Sequence, residues 1–186
     1  MKFIIRDDDT CAFTKPEDLH TCYREIWDDI PINLSVTPYR IPGNSTATPQ
    51  EYAGQNKPLP LGENKELVSF LTENQAQKRL HFALHGYYHT KPNYLPEYIG
   101  GTDLKKKTAE GKSYLEKTLN CTISTFIPPN NGIAINGLLA VVENRMNLIG
   151  IPPILKGKYR RVHIQNISKY LRTAFYPRIK GCSQVF

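Results

Sequence analysis

No run of about 20 apolar residues, the length that crosses a bilayer, occurs in the 186-residue chain, so no membrane span is expected. The opening stretch Met1-Lys2-Phe3-Ile4-Ile5-Arg6-Asp7 turns charged too soon to supply the roughly 7–15-residue apolar core of a secretion signal. A cytoplasmic location is therefore expected. Cysteine is scarce and scattered: Cys11, Cys22, Cys121 and Cys182 show no C-x-x-C spacing. This argues against a zinc ribbon, a thioredoxin-like centre and a disulfide framework, and leaves reduced thiols. Without an export signal, Asn44-Ser45-Thr46, Asn120-Cys121-Thr122 and Asn166-Ile167-Ser168 carry no weight as glycosylation sites. No internal repeat or low-complexity tract is visible.

Acidic residues are absent from one stretch. Lys156, Lys158, Arg160, Arg161, Lys169, Arg172, Arg178 and Lys180 fall in a segment with no Asp or Glu, and these eight charges exceed the whole chain's net +7. The basic excess is local. Such a segment reads first as a solvated face and second as a site for phosphates or an anionic glycan. It lacks a recognisable nucleic-acid motif, so nucleic acid is not the expected partner.

With 40% hydrophobic and 22% charged residues, the chain has material for one sizeable core, and residues 1–186 read as one domain. Apolar, β-branched runs at Lys2–Arg6, Ile32–Thr37, Leu80–His85, Thr122–Pro128, Asn147–Ile151 and Arg161–Gln165 predict six strands. Thr14-Lys15-Pro16-Glu17 has capping-box spacing and opens a helix whose Leu19, Cys22, Tyr23, Ile26 and Trp27 share a face. Three further helices are predicted over Glu63–Lys78, Thr102–Thr118 and the more apolar Ile133–Met146. Strands alternating with helices predict an α/β fold with a mostly parallel sheet, either an open doubly wound sheet or a (β/α) barrel. Six visible strands are too few to close a barrel of about seven or eight, so a distorted (β/α) barrel of about six to seven parallel strands is expected to stay incompletely closed. The ring should therefore be incomplete, with Lys2–Arg6 lacking a closing neighbour. Two long connections, Pro38–Gly62 and the tyrosine-rich Tyr87–Gly101, follow strand ends, where long loops are commonly functional.

Three constellations carry candidate chemistry. Arg6-Asp7-Asp8-Asp9-Thr10 ends an apolar strand with three adjacent carboxylates, which repel one another and call for a cation, a shared proton or full solvation. A turn with helix-capping aspartates is the plainer account. His85-Gly86-Tyr87-Tyr88-His89 puts two imidazoles four residues apart just past Leu80–Leu84, within reach of one metal. Such spacing also arises by chance. Phe126-Ile127-Pro128-Pro129-Asn130-Asn131-Gly132 runs a strand into a rigid turn whose backbone amides near Asn130 can face an anion, or simply close a turn. All three lie at the carboxyl ends of predicted parallel strands, the rim where α/β enzymes place catalytic groups. One carboxylate with two imidazoles leaves positions for water and substrate, the pattern of a catalytic metal site.

In type and order these three motifs resemble those of the polysaccharide deacetylases, carbohydrate esterases with a distorted (β/α) barrel. The variant with Arg before the acids and Pro-Pro-Asn-Asn in the third motif is similar to deacetylase-like proteins of bacterial surface-polysaccharide synthesis. The resemblance covers roughly residues 2–151. It implies hydrolytic deacetylation of an acetylated sugar, with Asp9, His85 and His89 as metal ligands and Asp8 as catalytic base. A register with Asp7 as base and Asp8 as ligand stays open. Zinc is the metal implied by ligand type, with cobalt, nickel or iron also compatible. Asn130, Tyr88 and Pro128 are the expected substrate contacts, and Tyr87, Tyr94 and Tyr98 could offer further flat faces to sugar rings. Two family features are missing: the third-motif arginine is here Ile127, and the late general-acid histidine has only His163 as a candidate. The alternative is thus a catalytically inactive module that binds a glycan or a protein.

Overall fold

The computed structural model describes residues 5–43 and 48–149. The predicted strand Arg161–Gln165, the short helix expected at Ser168–Phe175, the basic segment and His163 lie outside the described residues. So do the start of Lys2–Arg6 and the end of Asn147–Ile151. In chain order the elements are β1 (Ile5–Thr10), α1 (Pro16–Tyr23), β2 (Ile32–Val36), β3 (Tyr39–Arg40), β4 (Leu59–Pro60), α2 (Lys65–Ala76), β5 (Leu80–Leu84), α3 (Glu97–Gly100), α4 (Leu104–Leu119), β6 (Thr125–Phe126), α5 (Ile135–Glu143) and β7 (Asn147–Leu148).

Five strands form one parallel sheet in the order β1-β2-β5-β6-β7, and β3 with β4 makes a small antiparallel arm. Among the described residues each crossover advances one strand in the same direction, without the order reversal that defines a doubly wound fold. This is the progression of a barrel wall. Among the described residues the wall is open, with β1 and β7 at its two ends. Ile32, Leu34 and Val36 are fully buried, as is Ser35 between them, so β2 is covered on both faces. Leu67 and Leu71 of α2, Leu115 and Leu119 of α4, and Leu138 and Val141 of α5 recur at three or four residues, which puts each pair on one helix face against the strands.

Several elements differ from the sequence expectation for local reasons. The Thr14 capping box does not form: Thr14 Oγ1 instead accepts the Cys11 N–H at 3.0 Å, and Lys15 occupies the cap position without a side-chain bond. Helix α1 is correspondingly short and passes into a 3-10 turn, and Cys22 is exposed while Leu19 and Trp27 are buried. A cap unforeseen in the sequence sits at Asn64, whose Oδ1 accepts the Leu67 N–H at 3.0 Å. Its amide donates to the carbonyl oxygens of Ala12 and Thr14 at 2.9 and 3.2 Å, so the start of α2 holds the loop that follows β1. The strand expected over Thr122–Pro128 shrinks to Thr125–Phe126, because only those residues find partners on β7. The long connections are themselves structured: β3 and β4 lie in the first, α3 in the second.

Candidate metal centre

The three acids do not follow β1 but lie within it. Between Asp7, opposite Leu34, and Thr10, opposite Val36, β1 has one residue more than β2, a bulge, and Asp9 within it has φ +76°. Bulge and left-handed turn send the carboxylates apart. Burial pushes the half-buried Asp7 carboxyl up, against a hydrogen bond from Tyr23. Asp8 Oδ1 accepts from Ser35 Oγ at 2.6 Å, and Oδ2 pairs with Arg6 Nη2 at 2.9 Å. Asp9 alone turns toward the histidines. Its Oδ1 lies 2.8 Å from His89 Nε2 and 3.4 Å from His85 Nε2, and one ligand atom from each residue lies within 4.8 Å of the others.

Both imidazoles are aimed by their surroundings. His85 is 2% exposed, and its Nδ1 lies 3.0 Å from the Ile127 carbonyl oxygen. A carbonyl only accepts, so Nδ1 carries a proton, and with no second proton on the ring Nε2 would present a lone pair to Asp9. Lone pair and carboxylate repel unless a cation or a second proton lies between them. A metal ligand is commonly oriented in this way by a backbone carbonyl, and the donor set of two imidazoles and a carboxylate fits zinc. Hydrogen bonds from His85 and then His89 hold the Asp9 carboxyl well below the usual carboxylate range, the protons standing in for an ion. Burial lowers the His89 pKa, which favours the neutral ring that binds a metal.

The loop between the histidines is held by a residue that the motif search missed. Glu97, 2% exposed, accepts the backbone N–H groups of Tyr87, Tyr88 and His89 at 3.0, 2.9 and 3.1 Å. The sequence offered one signal: Glu97 is the sole acid between Glu73 and Asp103. Gly86 has φ +70°, and a Cβ there would stand 2.4 Å from Pro129 Cγ and 2.6 Å from Glu97 Oε2. Thus glycine lets the second motif pack on the third. From the other side, the N–H groups of Tyr39 and Ile41 donate to the carbonyls of Tyr87 and Tyr88, both at 3.2 Å. That brings Arg40, also unforeseen, to the site: Nη1 lies 3.8 Å from Asp9 Oδ1.

The expected substrate contacts fall at the same rim. Pro128 is buried directly after Ile127, while Asn130 is exposed with φ 54°. Within this turn the N–H groups of Asn131 and Gly132 donate to the carbonyls of Pro128 and Pro129, both at 3.1 Å, so they are not turned toward a ligand. Tyr88 is half-buried, edge-on to Tyr87 with ring centroids 4.5 Å apart. Tyr98 offers no face to a sugar, being 0% exposed and packed on Phe126 at 4.5 Å; Tyr94 is 97% exposed. A cleft of about 460 Å³ opens beside Asp9, lined also by Phe13, Lys15, Arg40, Gln50 and Glu51.

With this geometry in place, comparison with known proteins is informative for the fold. No protein-family model and no curated protein sequence matches the chain. Solved structures do. The chain is similar to a CE4 family pseudoenzyme from Bacillus anthracis, at 11% identity and TM-score 0.50, over 91% of this chain and 50% of that one. It is similar to a mutant of that protein with restored enzymatic activity, at 11% identity and TM-score 0.50, over 91% and 52%. It is also similar to a polysaccharide deacetylase from Bacillus cereus, at 12% identity and TM-score 0.50, over 79% and 58%. The likeness is one of fold. The chain spans about half the length of the structures it matches, and no described helix is long and apolar enough to cross a membrane.

Proposed function

We propose that this chain is a metal-dependent carbohydrate deacetylase, hydrolysing the acetyl amide or ester of an acetylated sugar within the synthesis of a cell-surface glycan. The observation that carries this reading is the convergence of Asp9, His85 and His89 on one point at the strand-end rim, with a second carboxylate, Asp8, beside Asp9 in the chain. Asp9, His85 and His89 would hold a divalent ion, zinc by ligand type. Such an ion polarises an acyl oxygen and makes water more acidic.

Asp8 is the base. Ser35 and Arg6 fix both of its oxygens, and Arg6 supplies the guanidinium that position 127 lacks. Asp8 takes a proton from the attacking water as the new C–O bond forms. When the acyl C–N or C–O bond breaks, the same proton returns to the leaving nitrogen or oxygen. No other histidine of the described residues can serve as acid there, since His20 lies on α1 and His81 near the amino end of β5. Asn130, Tyr88 and Pro128 line the side on which the sugar docks, with the Asn130 N–H available to the acyl oxygen.

The test is acetate release from acetylated sugars by the zinc-loaded full chain. Asp8→Asn is expected to keep the ion and lose about 10²–10⁴ in rate. Loss of the ion in Asp8→Asn, with retention in Asp9→Asn, would move base and ligand one position toward the amino end. That no described histidine is placed as an acid favours a second reading, a module that binds a glycan without turning it over; glycan binding with no acetate release by the wild type selects it.

A further inference from the structure

Arg40 is poorly served by its own protein. It lies on β3, whose backbone is fixed to β4 and, through Tyr39 and Ile41, to the loop between the two histidines. Its side chain is 11% exposed, and its Nε and Nη1 are buried with no hydrogen-bond partner among the described residues. A guanidinium keeps its charge at any physiological pH, so burial cannot be relieved by losing a proton. Leaving such donors unpaired costs more than an ordinary hydrogen bond returns. The nearest carboxylate, Asp9, stands at 3.8 Å, beyond hydrogen-bonding distance, and its Oδ1 is already engaged by two imidazoles. The Phe13 ring, with its centroid 6.0 Å from Arg40 Cζ, supplies a weak contact.

The charges around Arg40 sort by depth. Lys15, Asp18 and Glu51 also line the cleft but are exposed, where water and salt screen them. Arg40 forms its inner end, and Asp9, whose side chain is 57% exposed, faces it with the opposite charge. With a divalent ion on Asp9, His85 and His89, that inner end carries a net positive charge, and the ion competes for the carboxylate that Arg40 faces. What the arrangement lacks is an anion supplied from outside.

We infer that Arg40 selects for an acetylated sugar bearing an oxyanion substituent, a carboxylate or a phosphate on the ring, received by the guanidinium in the cleft beside Asp9. This deepens the deacetylase reading and rests on it for the sugar. A planar guanidinium meets such a group with two parallel N–H donors, which an ammonium cannot do.

The experiment compares binding of N-acetylglucosamine, its 6-carboxylate and its 6-phosphate to the zinc-loaded full chain by calorimetry, with acetate release from each measured in parallel. The wild type should bind at least one anionic sugar about tenfold or more tightly than the neutral one, and which anion wins identifies the source of the oxyanion. Arg40→Met should erase that preference; Arg40→Lys, which keeps the charge and supports the cleft if the methionine variant does not fold, should retain only part of it. Equal binding of all three sugars, no binding of either anionic sugar, or an undiminished preference in a folded Arg40→Met protein overturns the inference; Arg40 then serves as a local partner of Asp9. Preferential binding without acetate release sinks the deacetylase reading and leaves the selectivity standing. Indiscriminate acetate release does the reverse.

Discussion

Both ends of the parallel sheet use left-handed backbone at residues other than glycine, and they settle its cost in opposite ways. At the amino ends of the strands, Lys78, Asn120 and Arg145 have φ 62°, 48° and 56° and end α2, α4 and α5. Each is followed by a bond from the next N–H back five residues: Arg79 to Asn74 at 2.9 Å, Cys121 to Glu116 at 3.3 Å and Met146 to Val141 at 3.2 Å. That pattern satisfies the last helical carbonyls within the helix itself. At the carboxyl ends, Asp9, His89, Asn130 and Asn131 have φ 76°, 57°, 54° and 50°. There, support for the histidine loop comes from outside it, through Glu97 and, farther along the chain, Ile127 and the β3 arm. One end turns the chain with local means, while the other aims side chains with tertiary means. Strain that only distant contacts sustain marks where function is sought.

Removing the distant support should be costly. Glu97→Ala leaves three enclosed backbone N–H groups without their acceptor, and we expect a loss of about 3–5 kcal/mol in stability. Hydrogen exchange at Tyr87, Tyr88 and His89 should rise well above that of neighbouring strands. If exchange there is unchanged in a folded variant, Glu97 does not hold the loop.

A smaller effect is expected for Gly86→Ala, which adds a methyl group against Pro129 and Glu97 at a backbone angle that disfavours it. About 2–4 kcal/mol should be lost, with the histidine loop displaced from Pro129. Full stability in denaturant titration would show that the second and third motifs are not packed as described. The opposite end should respond with the opposite sign. Lys78 and Arg145 are exposed, so Lys78→Gly and Arg145→Gly relieve the left-handed penalty at little other cost and should be neutral or stabilising by up to about 1 kcal/mol. Marked destabilisation by either would erase the contrast between the two ends.

How much of this was legible beforehand follows from whether the determinants were local. Strand β5 and the histidines after it could be read, because an apolar run, Gly86 and two imidazoles lie within ten residues. The helices with a clear apolar face, α2, α4 and α5, could be placed to within a few residues at their ends. The contents of the acidic cluster could be seen, but its geometry could not: nothing in Asp7-Asp8-Asp9 announces a bulge, which exists only in relation to Leu34 and Val36. The two-residue strand β6 was overestimated because its length is set by pairing. Thr14 had the spacing of a cap and found a nearer partner in the Cys11 N–H. Glu97 and Arg40 escaped notice because their partners lie 8–10 and 31 residues away in the chain.

Zinc stoichiometry by elemental analysis after dialysis tests the central claim most directly, in the wild type and in the His85→Ala, His89→Ala double variant. One tightly held ion per wild-type chain and none in a folded double variant is the predicted result. Full occupancy in the double variant, or no uptake by the wild type, would contradict the assignment of Asp9, His85 and His89 as a metal centre.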